Sequence, residues 1–179
     1  MKKLPILFLS IVLTSAVNAQ GYKKFKLGIG LGYASGRAGI GHGYVEGSGG
    51  LLTLEPAFRV SDNLAVGLRL EGAAYGSVAV SSMGAYGYGS ITINGQYYLN
   101  GEKFRPFVGA GFGIYLGEGS LFGFYPRLGF DLGKFTLALD YNIMPKGTEY
   151  YDYLTNSNAT YSSYYVGVRI GWSFFCAKK

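Results

Sequence analysis

The residue with the most chemical promise is His42, the single histidine of the chain. Ser35, Ser48 and Ser77 can lie near it in a folded chain, and Glu46 follows four positions on. A histidine beside a serine and a carboxylate is the composition of a nucleophilic triad. Such a triad is defined by geometry, which spacing alone does not provide. The plainer reading is a solvated histidine in a Gly-rich loop, and it is the one adopted, so no catalytic residue is assigned. A metal site has less support, because one His and one Cys offer no ligand spacing. No metal and no cofactor are expected. Cys176 cannot pair within the chain and reads as a spare thiol. Three glycine runs, Gly28/Gly30/Gly32, Gly109/Gly111/Gly113 and Gly167/Gly171, resemble phosphate-cradling loops, but those open a helix, and no helical period follows any of these runs.

The charged residues carry more information. Charged residues make up only 15 % of the 179 positions, while glycine occupies 30 and aromatics 17 %. This composition excludes disorder, collagen and a disulfide scaffold. The net charge of +6 includes Lys2 and Lys3 in an expected leader. No basic cluster points to nucleic acid.

The elements that position the charges have a period of two. Eight runs alternate: residues 26–34, 52–60, 64–71, 90–99, 104–116, 122–132, 135–143 and 164–174. One parity is apolar, as in Leu27, Ile29, Leu31 and Tyr33. The opposite parity carries Glu55, Arg59, Arg69, Glu71, Arg105, Arg127, Asp131, Asp140 and Arg169. Five of the six arginines are in this set, with the lysines expected at strand ends and in loops. An exposed Arg or Lys costs ~2–4 kcal/mol at the bilayer midplane, so a lipid-facing row must exclude them. In a narrow lumen the same charges must pair. The expected fold is therefore an all-β, eight-stranded, antiparallel up-and-down transmembrane barrel whose lumen holds a structural network of those nine residues.

Connections support this plan. Segments 61–63, 100–103 and 133–134 are short, whereas 35–50, 75–88 and 145–160 are long and 117–121 is intermediate. Short turns and both termini are expected in the periplasm and the longer loops outside. Aromatics fall into two girdles. Phe58, Tyr97, Phe104, Phe130, Phe135, Trp172 and Phe174 lie near the short turns, and Tyr33, Phe122, Phe124, Tyr141 and Tyr164 near the loops. Residues 1–19 have the basic start, apolar stretch and Val17-Asn18-Ala19 cleavage pattern of a signal peptide, leaving a barrel domain of residues 20–179.

Segments Arg105–Gly113, Tyr125–Asp131, Leu139–Asn142 and Val166–Phe175 resemble the outer membrane protein beta-barrel family, the small OmpX/OmpW-like group of Gram-negative bacteria. The resemblance covers the mature chain. It implies location in the cell outer membrane, contact with outer membrane lipid and lipopolysaccharide, and a terminal strand read by the barrel assembly machinery. That strand is followed here by Cys176-Ala-Lys-Lys179. Some such barrels modify lipid A with a His near the outer rim, and His42 is the residue that reading would use. The expected role is structural, adhesive or ligand-contacting through the loops. Tyr150, Tyr151, Asp152, Tyr153 and Tyr161 suit either a protein or sugar ligand or an extended aromatic belt in the lipopolysaccharide layer. The expected state is a monomer. The alternatives are a narrow conduit for small apolar molecules and a secreted lipocalin-like barrel, the latter requiring an apolar lumen and a charged exterior.

Overall fold

A computed structural model describes residues 25–40, 43–77, 84–99, 103–117, 119–145, 149–152, 157–160 and 162–174. The expected signal peptide, His42 and Cys176 lie outside the described residues. The described residues form ten strands: β1 (Phe25–Ile40), β2 (Gly43–Arg59), β3 (Leu64–Ser77), β4 (Gly84–Tyr98), β5 (Phe104–Leu116), β6 (Ser120–Leu132), β7 (Phe135–Met144), β8 (Glu149–Asp152), β9 (Ser157–Thr160) and β10 (Ser163–Phe174). Each of β1 to β7 pairs antiparallel with its sequence neighbour, and β10 closes the ring between β7 and β1. The result is a closed eight-stranded barrel. Strands β8 and β9 form a separate two-stranded hairpin between β7 and β10.

The two-residue period sorts the side chains. Outward positions of β5 are Phe104, Val108, Phe112, Ile114 and Leu116, all exposed, while Arg105, Phe107 and Tyr115 are buried inside. Thirteen residues tilted as barrel strands are rise roughly 30 Å, the thickness of a bilayer core. Pro56, Pro106 and Pro126 point outward. Pro126 sits where the β6–β7 register skips from Phe124↔Ile143 to Arg127↔Asp140, as expected for a residue that donates no ladder hydrogen bond.

The turns at one end are short and locally bonded. In the β2–β3 turn the Ser61 hydroxyl accepts from the Leu64 amide at 3.1 Å, and the Asn63 amide group donates to the Tyr98 carbonyl at 2.8 Å. In the β6–β7 turn Gly133 has φ of 62°, a left-handed value that a two-residue hairpin requires and glycine adopts freely. The chain continues into Lys134 and the pair Leu132↔Phe135 closes the turn.

The loop end departs from the sequence expectation. Segment 35–50 is almost entirely strand, with β1 and β2 paired up to Ile40↔Gly43. Strands β3 and β4 likewise extend to Ser77↔Gly84, which shortens the connection expected at 75–88. Segment 145–160 contains the β8–β9 hairpin. Strand β6 begins at Ser120, inside the connection expected at 117–121. Outward positions of the β1–β4 extensions include the small or polar Ser35, Arg37, Glu46, Ser48, Ala74 and Gly87 in place of the large apolar residues of the belt. Hydrogen-bonded pairing continues there above the apolar belt, where no alternation is needed to satisfy lipid.

Candidate functional site

The candidate site is the interior. Every one of Arg59, Arg69, Glu71, Arg105, Arg127, Asp131, Asp140 and Arg169 is at most 6 % exposed, and Glu55 points inward beside them. The interior is organised in three storeys along the barrel axis.

The middle storey is a network of three arginines and three carboxylates. Arg127 is bidentate on Glu55, with Nη1–Oε1 at 2.5 Å and Nη2–Oε2 at 3.0 Å. Asp140 stands opposite Arg127 across β6–β7 and lies 3.4 Å from its Nε. Asp140 Oδ2 also lies 2.6 Å from Arg169 Nη2 and 3.4 Å from Arg69 Nη1. Arg169 approaches Glu71 at 3.7 Å and Glu55 at 4.0 Å, and Arg69 Nε lies 3.6 Å from Glu71. Asp140 therefore touches all three guanidiniums, and Arg169 touches all three carboxylates. Charge balances within the group, as burial demands. Neutral partners complete it. Arg69 donates to Asn142 Oδ1 at 2.7 Å, the Asn94 amide donates to Glu55 at 3.2 Å, and the Tyr165 hydroxyl donates to Glu71.

Glycine makes the room for this crowding. Gly111 is opposite Tyr125 in the β5–β6 register, and a Cβ on Gly111 would stand 2.4 Å from the Tyr125 ring. The ring thus lies on the bare backbone, and the Arg69 guanidinium stacks over its other face at 3.6 Å. The same device seats Phe107 on Gly129, with 2.7 Å between the ring tip and a built Cβ.

The lower storey, at the short-turn end, is cationic. Asp131 is bonded by Thr136 at 2.7 Å and by the Lys26 ammonium at 2.7 Å. Arg59 and Arg105 stack against Tyr98 at 5.0 and 4.7 Å from the ring centre. Arg105 also donates to the Asp62 carbonyl at 2.5 Å. Lys26 stands at a strand end, as expected of the lysines, but its side chain is buried in the lumen beside the arginines. Parity held the clue, since Lys26 shares the face of Gly28, Gly30 and Gly32. Between the two storeys lies a cavity of about 20 Å³ bordered by Lys26, Thr53, Glu55, Arg127, Arg169 and Ser173, room for roughly one water.

The upper storey is apolar and tyrosine-rich. Ala34, Ala38, Leu51, Ala73 and Met144 pack with Tyr88, Tyr115 and Tyr165. Their hydroxyls are used: Tyr88 donates to Ser163 at 3.0 Å and Tyr115 to Asn142 at 2.7 Å. Alternation placed Tyr115 and Tyr165 inside, but nothing in the pattern indicated that they share one apolar cluster.

His42 lies outside the described residues, and only its expected neighbours are placed. Ser35 and Ser48 are opposite one another on β1 and β2 and face outward. Glu46 pairs with Arg37 at 3.4 Å. These residues stand on strands, not in the long loop expected for them.

The exterior is the complement of the lumen. Leu31, Leu52, Val108, Leu128 and Ile170 are among many exposed apolar side chains, and Arg37 and Glu46, above the belt, are the outward charges within the described barrel strands. Aromatic pairs mark both rims: Phe135–Trp172 at 4.5 Å and Phe104–Phe130 at 5.0 Å toward the short turns, Phe112–Phe122 at 6.4 Å and Tyr141–Tyr164 at 6.1 Å toward the loops. A charged interior with an apolar exterior reverses the lipocalin arrangement and excludes the secreted alternative.

No protein-family model and no curated protein sequence matches the chain. Solved structures do. Neisserial surface protein A matches with a TM-score of 0.62 at 13 % identity, over 87 % of this chain and 99 % of that one. OprG, an outer membrane protein of Pseudomonas aeruginosa, matches with a TM-score of 0.51 at 16 % identity, over 88 % of this chain and 99 % of that one. The chain therefore has the fold of the small eight-stranded outer-membrane barrels, the group its sequence resembles.

Proposed function

We propose that the protein is an integral outer-membrane barrel with a closed, charge-paired lumen, whose biological role is exercised through its loop end as an envelope-structural, adhesive or ligand-contacting element. The middle storey carries this reading. Six charged side chains meet across the lumen at Asp140 and Arg169, and the cavity beneath them has room for about one water. Eight strands enclose a lumen that side chains alone can fill. In this reading residues 1–19 are removed on export, both termini and the short turns face the periplasm, and the monomeric barrel is surrounded by phospholipid and lipopolysaccharide after delivery by the assembly machinery. The extended β1–β2 and β3–β4 ladders and the β8–β9 hairpin supply the outer surface.

The apolar upper storey is the observation that favours a conduit for small apolar molecules. Such a molecule would enter among Leu51, Ala73 and Met144. It would then meet the ionic storey, which supports closure. A planar-bilayer recording decides between them. The purified barrel is expected to leave the membrane at baseline conductance, and steady unitary steps from the folded protein would overturn the closed lumen. Liposome uptake of a small apolar dye, faster than in protein-free liposomes, would favour the conduit.

A further inference from the structure

On β2 to β4 two successive outward rows of the barrel exterior fall to backbone level. Registers define them. One outward row reads Leu31–Leu52–Gly72–Gly89–Leu116 across β1 to β5, and the row above reads Tyr33–Gly50–Ala74–Gly87 across β1 to β4. The row below is filled by Ile29, Leu54, Leu70, Ile91 and Ile114. The result is a trough with a floor of Gly50, Gly72, Ala74, Gly87 and Gly89, side walls at Leu52 and Leu116, and a closed lower end at Leu70 and Ile91. Its two contiguous parts have volumes of about 490 and 560 Å³. Ligand clefts span roughly 300–1,000 Å³. A side chain would fit there: no atom lies within 4 Å of a Cβ built on Gly50 or Gly72, and the nearest to Gly89 is Leu116 Cβ at 4.0 Å.

The trough is blind toward the barrel's middle and open toward the loop end. Directly above its β1–β2 wall the outward rows become polar, first Ser35 and Ser48, then the Arg37–Glu46 pair. This polarity suits an amphiphile standing with its hydrocarbon in the trough and its head at the rim. It does not suit a second copy of the barrel. Two concave glycine floors facing each other leave a void, and packing between membrane segments depends on close contact of complementary surfaces. Leu52 and Leu116 stand on strands separated by three inter-strand steps of about 4.8 Å each, so more than one acyl chain fits side by side. The Arg37 guanidinium, 3.4 Å from the Glu46 carboxylate, and two hydroxyls are the rim donors offered to a head with phosphate and sugar groups.

We propose that this trough on β2–β4 is a specific binding site for the lipid A part of lipopolysaccharide, acyl chains along the glycines and phosphorylated sugar at Ser35, Arg37 and Ser48. The proposal rests on the outer-membrane reading and on the loop end facing outward.

The test uses the full mature barrel refolded into nanodiscs of phospholipid with and without lipopolysaccharide, then extracted gently and weighed by native mass spectrometry. The double variant Gly72→Leu/Gly89→Leu fills the trough without touching the lumen. The folded wild type is expected to retain lipopolysaccharide, and the filled variant to retain at least about fivefold less, near 1 kcal/mol. Heat-modifiable gel migration is expected to be equal for both. Equal retention by the variant, retention of phospholipid in preference to lipopolysaccharide, or release of a barrel dimer each overturns the site. A wild-type chain that fails to fold into the nanodisc at all defeats the outer-membrane reading instead. A variant that fails to fold is replaced by Gly50→Leu, on the same floor.

Discussion

Asp140 Oδ2 lies 2.6 Å from Arg169 Nη2, reaching from β7 to β10 over Gly167, the residue directly opposite Asp140. Glycine at that point leaves the carboxylate free to turn toward the barrel axis. The two side chains are the hubs of a balanced set, one reaching every guanidinium and the other every carboxylate of the middle storey. Removing a hub breaks three ion contacts, removing a peripheral member two.

Asp140→Asn leaves three guanidiniums facing two carboxylates in a buried space. Breaking a buried pair by deleting one partner typically costs about 3–5 kcal/mol. The denaturant midpoint of the refolded barrel in liposomes is expected to fall accordingly, and Arg169→Gln to behave likewise. The double variant Asp140→Asn/Arg169→Gln restores the balance and is expected to lose less than the two single losses added. Strict additivity would show that the hubs do not couple.

Gly111→Ala inserts a methyl group where the Tyr125 ring lies, at a built distance of 2.4 Å. The ring must leave the β5 backbone and take its support from under Arg69. Overpacking of this kind costs about 1–3 kcal/mol. A stability loss in that range is expected from unfolding titrations, and Gly111→Ala is expected to cost much less in a Tyr125→Ser background, where the ring is already gone. An equal cost in both backgrounds would mean that the Gly111–Tyr125 contact is not the cause.

The apolar belt predicts a depth dependence. Leu128 is outward on β6, opposite Val108 and Leu139, and is exposed near mid-height. Leu128→Arg is expected to destabilise the barrel by ~2–4 kcal/mol. Ser35→Arg, above the belt, is expected to cost ~0–1 kcal/mol. Equal effects in liposome unfolding experiments would remove the basis for placing the membrane boundary between Leu31 and Ser35.

Much of this was legible in the sequence because lipid imposes a rule on every second residue. Arg127 and Asp140 could be assigned to the lumen since no outward position within the belt tolerates them. Which partners they choose was not legible. The triple contact of Asp140 depends on the stagger of β6, β7 and β10, and no single strand encodes stagger. Lys26 was hidden by its position at a strand start, where lysine usually reaches water. Residues 35–50 concealed two strands for the opposite reason. Above the belt the outward positions are Ser35, Arg37, Glu46 and Ser48, so alternation of polarity ceases while backbone pairing goes on. The trough escaped notice because Gly50, Gly72 and Gly89 lie far apart in the chain and meet only through register.

Trp172 gives the membrane position directly. It is the one tryptophan of the chain, outward on β10, packed edge-on against Phe135 with the Lys134 ammonium 5.9 Å from its ring. Its place two residues from the end of β10, in the girdle beside the short turns, puts the indole at a membrane–water interface. Its fluorescence in liposomes is therefore expected to be quenched more by lipids brominated near the glycerol than by lipids brominated near the chain ends. A Phe135→Ala variant removes the edge-on partner but leaves the depth unchanged, so the ratio of the two quenching strengths is expected to stay the same. Stronger quenching from the chain ends would place Trp172 at the bilayer centre and shift the whole barrel along the membrane normal. Equal and negligible quenching would show that the apolar belt does not contact lipid.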